Sequence, residues 1–153
     1  MLFFICSSSG VVVADSIVEL EARQMGSMFF QRRMGRYLRR RGREVPAWVT
    51  EPDRVFTADG RVVRVEWPKG ASGPTATVTD DVDEAALDAA LSRQAAAWGM
   101  PPPTAAGRVA FAEELRRREP SQGVIRLLLM EPFRRLAARR RRPGRESGAR
   151  PDR

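Results

Sequence analysis

What most limits the folds open to this chain is where its arginines stand. Residues 23–43 carry Arg23, Arg32, Arg33, Arg36, Arg39, Arg40, Arg41 and Arg43 with no acid, and residues 132–153 carry nine arginines against two acids. Guanidinium groups at that density cannot leave water without partners, so neither block can supply a core. Residues 44–100 hold ten acids against four arginines and Lys69. With the ends set aside, roughly residues 45–135 remain to fold, close to the lower size for a self-sufficient hydrophobic core.

The same asymmetry bears on partners. Of the 27 basic residues all but one are arginine, and the formal charge is +8. A local block of like charge can grip a polyanion where a diffuse one cannot, and the planar guanidinium fork suits phosphate. Chemistry is restricted from the other side. Cys6 is alone and histidine is absent, which leaves no disulfide framework, no thiolate cluster and no Ser-His or Cys-His pair. An enzyme would have to run on carboxylates, arginine or Tyr37. The residue inventory points to a non-catalytic protein without cofactor or metal.

Residues 1–24 read as an apolar N-terminal extension. The patches Leu2–Ile5 and Val11–Val13 are split by Ser7, Ser8, Ser9 and Gly10. Neither reaches the ~18 residues of a membrane span, and no positive leader precedes them as in a secretory signal. They suit a strand or short helix packed on the domain, or an extension with no structure of its own.

Residues 25–53 read as a basic amphipathic helix and a linker. Phe30, Met34, Tyr37 and Leu38 fall at helical spacing, and arginines occupy the rest of the circumference. Such a helix suits nucleic acid, an anionic membrane surface, or the import machinery that reads arginine-rich presequences. Met25 and Met28 stand where a presequence would begin, although Asp15, Glu19 and Glu21 precede them. Pro46 and Pro52 around Trp48 predict an extended linker.

Residues 54–142 read as a small α+β domain. Asp59-Gly60 predicts a two-residue type I′ hairpin in which Phe56 faces Val63, with Val65 and Trp67 on the same side. A third strand follows at Thr75–Thr79. The pair Asp81 and Glu84 then suits the start of a helix whose stripe is Leu87, Leu91, Ala95 and Trp98, stopped at Gly99 and by Pro101, Pro102 and Pro103. Thr104 can cap a second helix carrying Val109, Ala112 and Leu115. A third, from Pro120, carries Ile125, Leu128, Leu129, Phe133 and Leu136 and ends in Arg139–Arg142. Residues 143–153 read as a disordered basic tail.

Two constellations have bland explanations. Asp80, Asp81, Asp83 and Glu84 are accounted for by capping and the helix dipole, without metal or acid–base chemistry. The helices at 82–98 and 104–119 suggest a DNA-binding helix-turn-helix with Arg108 as a reader, but the proline-rich connection is too long and stiff. What remains is the basic ends. Arg32, Arg33, Arg36, Arg39, Arg40, Arg41 and Arg43 mix with Phe29, Phe30 and Tyr37, and Arg139, Arg140, Arg141 and Arg142 lie near Phe133, combining charge with rings that can stack on unpaired bases.

The expected architecture is thus α+β: a hairpin plus one strand packed by two or three helices, with basic extended or helical termini. The expected core is Phe56, Val63, Val65, Trp67, Leu87, Leu91, Trp98, Leu115, Leu128 and Leu129. The expected function is a non-catalytic RNA-binding structural component of a ribonucleoprotein particle, such as a mitochondrial ribosomal protein, or otherwise cytoplasmic. RNA phosphates and neighbouring proteins of a larger assembly would be its partners, with no small-molecule substrate. The alternative is an assembly or accessory subunit of a membrane-associated complex, with the basic helix at the lipid surface.

Overall fold

The structure, a computed structural model, describes residues 1–119. The chain divides into two units, Met1–Arg118 and Glu119–Arg153, and the described residues cover the first. The expected third helix, with Leu128 and Leu129, the arginines Arg139–Arg142 and the tail all lie outside them.

The fold is α+β, and its sheet is larger than the sequence suggests. Five antiparallel strands run in the order β2-β1-β3-β4-β5: β1 (Phe3–Ser7), β2 (Gly10–Ala14), β3 (Arg54–Thr57), β4 (Arg61–Glu66) and β5 (Thr75–Val82). Helix α1 (Ile17–Arg40) and the short α2 (Ala47–Thr50) separate the N-terminal hairpin from β3, and α3 (Glu84–Ala97) and α4 (Arg108–Arg118) follow β5.

Residues 1–24 are therefore no extension. β1 lies inside the sheet, paired to β2 on one side and β3 on the other. Its unbroken run of apolar residues has a physical reason, because helices cover both faces. Phe4 and Cys6 pack with Val11, Val13 and Phe56 against Leu87, Leu91, Phe111 and Leu115 of α3 and α4. Phe3 and Ile5 pack on the opposite face with Val55, Val63 and Leu20 of α1. A strand covered on one side alternates in polarity; one covered on both does not. Each such large side chain taken out of water contributes about 1.5–3 kcal/mol.

The β3–β4 turn corrects the expected hairpin. Asp59 keeps a negative φ and only Gly60 is positive, at +85°. The loop is Ala58-Asp59-Gly60, closed by the Gly60 N–H donating to Thr57 O at 3.0 Å. This matches a type I turn followed by a positive-φ glycine, in place of type I′. The extra loop residue slips the register by one, so Phe56 pairs with Val62 and Val55 with Val63. Phe56 and Val63 consequently face opposite helical layers, since a one-residue slip inverts every side chain. Trp67 and Trp98 are only partly buried, Val65 likewise, whereas Leu87, Leu91 and Leu115 lie in the core as expected.

The capping also differs by a few residues. β5 runs on through Asp80 and Asp81, and Asp83 is the N-cap of α3, its Oδ1 accepting the Ala86 N–H at 3.1 Å. Arg108 is no base reader. It is 2% exposed, donating to Ala58 O at 2.9 Å and Asp88 Oδ1 at 2.8 Å, so it ties the start of α4 to the β3–β4 turn and to α3.

The two sheet edges are guarded by side chains. Val11 N–H on β2 donates to Gln94 Oε1 at 3.0 Å, and Ala76 N–H on β5 donates to Glu21 Oε1 at 3.0 Å. Filling an open N–H in this way blunts strand addition.

At the β2 end, Arg116 of α4 reaches round to the start of α1. It donates to both Glu19 carboxylate oxygens at 3.0 Å and lies 2.6 Å from Asp15. The bidentate Arg116 bond holds the Glu19 carboxyl down from its ordinary 4.5 to about 2. A depressed carboxylate stabilises the fold above its unfolded pKa, and that stabilisation is lost as pH falls through the folded value. Arg116→Gln is expected to cost about 1 kcal/mol at pH 7, as the pair is partly exposed. In urea unfolding at pH 7, 4 and 2, the gap between wild type and variant should close over pH 4.5 to 2; a gap unchanged at pH 2 would exclude Glu19 as its source.

Candidate nucleic-acid interface

Helix α1 is long enough to do two jobs. Ser16 caps its start by accepting the Glu19 N–H at 3.1 Å, and Leu20 and Gln24 are buried over the sheet. Its second half is held by the segment the sequence suggests is only a linker. Asp53 accepts from Gln24 Nε2 and Ser27 Oγ, both at 3.1 Å, and Gln31 Nε2 donates to the carbonyls of Trp48 and Glu51, both at 3.2 Å. Phe30 stacks on Trp48 with ring centroids 6.1 Å apart, and buried Gly35 lies against Val49. These contacts take much of the apolar stripe that the sequence leaves open.

The helix ends where its glycine permits. Gly42 has φ +63°, and its N–H donates to Arg39 O while the Arg43 N–H donates to Leu38 O, both at 3.0 Å. That pair of bonds is a Schellman motif, satisfying the last carbonyls.

On this anchored helix the arginines are organised. At 3.6 residues per turn, Arg32, Arg33, Arg36, Arg39 and Arg40 project within an arc of about 120° on the side away from Leu20, over about 12 Å of axis, with the Arg39 guanidinium reaching back beside Gly35. Arg41 and Arg43 follow at the C-terminal cap. All seven are exposed. Cations in the last turn complement the helix dipole, which accounts for one or two of them and not for seven.

Ion pairing separates this group from the other arginines. Arg23, Arg54, Arg61, Arg64, Arg108, Arg116, Arg117 and Arg118 each have a carboxylate partner. Among the described residues, none of the seven at 32–43 has one; of the remaining arginines only Arg93 shares that condition. Among the described residues, the structural arginines are thus neutralised and the patch at 32–43 is left without carboxylate partners.

Rings lie within the patch. Arg33 sits over Phe29 at 5.4 Å from the ring centroid, Arg32 over Trp67 at 5.7 Å and Arg41 over Tyr37 at 4.7 Å. Phe29 is 54% exposed. The ring best placed to meet a ligand is thus Phe29, because Phe30 is engaged with Trp48. The value of Trp67 at this surface was hidden by its place at the end of an apolar strand pattern.

Among the described residues, no group of three acids or cysteines could hold a metal ion. Burial pushes the Cys6 thiol up to about 12, so it is a core side chain and no nucleophile. No described helix is long and apolar enough to cross a membrane. Comparison with protein-family models, curated proteins and solved structures finds no match to this chain.

Proposed function

We propose that the protein is a non-catalytic RNA-binding structural component of a ribonucleoprotein particle, gripping phosphates with the arginines of α1 and with Arg139–Arg142. A ribosome-like particle, mitochondrial or cytoplasmic, is the setting that fits. The observation that carries the reading is the uncompensated patch at residues 32–43. Guanidinium groups held on one rigid face, without internal carboxylates, are available to an external polyanion and form charge-assisted bonds to phosphate.

The membrane-surface alternative draws less support from the same geometry. An interfacial helix needs an apolar face to insert beside its charges. Here Phe30 and Gly35 face α2, and over residues 29–40 the outer arc presents Phe29 among five arginines, the exposed Val18 and Met25 lying on earlier turns. A removable presequence at 25–43 is also disfavoured, since this segment is bound into the domain through Ser27, Phe30 and Gln31.

Purification at low salt tests the reading. Copurifying RNA that is released by salt is the expected result, with a log affinity that falls linearly against log salt. Copurifying lipid or protein, together with no salt-dependent RNA binding, would replace it with the assembly-subunit reading.

A further inference from the structure

We infer that the α1 surface selects unpaired RNA over duplex, with Phe29 as the platform on which a base stacks. The inference rests on the RNA-binding reading and goes further by naming the substrate class.

Phe29 and its neighbour Phe30 make the argument by contrast. Phe30 packs on Trp48, so the fold does recruit rings from this helix when it needs them. Phe29 points into the arginine arc and is 54% exposed, so its ring is open to a ligand beside the guanidinium groups. Among the described residues Arg33 lies over its face, at 5.4 Å from the centroid. An exposed cation–π contact is weak, but it holds a guanidinium against one side of the ring. The other side can take a base, giving a base–ring–guanidinium stack. Arg32 and Arg36 flank it for the adjoining phosphates, and Arg32 already rests on Trp67, a second ring along the same track. Positive charge interleaved with rings is the arrangement that holds single strands, since every base has a π-face whereas duplex bases are already stacked.

The test uses the full chain with a 12-nucleotide oligouridylate carrying one central 2-aminopurine, and a blunt RNA duplex of the same length. Phe29→Ala is expected to weaken oligonucleotide binding about 5- to 150-fold and to diminish the 2-aminopurine fluorescence change, leaving salt slope and duplex affinity unaltered. Phe29→Tyr should retain binding, and the thermal midpoint of both variants should match wild type because the ring is exposed. Equal losses on both RNAs, or no loss on either while salt-dependent binding persists, would overturn the stacking inference and leave the RNA reading standing. Absence of binding to both RNAs by the wild type would remove the two together.

Discussion

Phe4→Ala is expected to cost about 3–5 kcal/mol in unfolding free energy, a large part of the ~5–15 kcal/mol that holds a small domain together. Phe4 is 0% exposed, stands opposite Val13 on one side and Phe56 on the other, and belongs to the core closed by α3 and α4. Truncating it leaves a cavity in the interior of the sheet, where neighbouring strands cannot collapse to fill it. Trp67→Ala should cost markedly less, because that ring is half-buried and holds Ala71 O at 2.9 Å in a loop. Urea unfolding of the two variants side by side decides the point. A Phe4→Ala effect below about 1 kcal/mol would mean that β1 is not an inner strand. A chain begun at Met25 would lack β1, β2 and the buried turn at Leu20, and should fail to give a cooperative transition.

Neutralising Arg39, Arg40 and Arg41 together is expected to produce the largest change in binding. Each phosphate contact removed should flatten the plot of log affinity against log salt by about 0.7–0.9, so three should reduce the slope by about 2–3. Between 50 and 200 mM salt, the variant should therefore lose about 20- to 40-fold less affinity than the wild type. Sequence preference should stay the same, since phosphate contacts carry little sequence information. The fold should lose no more than the small helix-dipole contribution of Arg39 and Arg40, because none of the three has a carboxylate partner among the described residues. An unchanged salt slope in fluorescence-anisotropy titrations would move the interface away from α1.

Local features of this protein were legible where local physics decides them. The helices around Leu87 and Leu91 and around Ala112 and Leu115, the Thr104 cap and the stop at Gly99 follow from periodicity and capping within a few residues. The exposure of Arg32–Arg43 follows as well, because unpartnered charge stays in water. Tertiary structure alone decided the rest. Leu2–Ile5 and Val11–Val13 are short apolar runs that fit several environments, and only pairing to β3 across some fifty residues makes β1 an inner strand, with β2 beside it at the sheet edge. One loop residue at Ala58 chose which face Phe56 and Val63 serve, an outcome of register that composition does not encode. The difference between Arg108, buried against Asp88, and Arg36, open to solvent, depends on which acids the fold brings near each. Both are arginines in helical segments, and charge neutralisation is a property of three-dimensional neighbours.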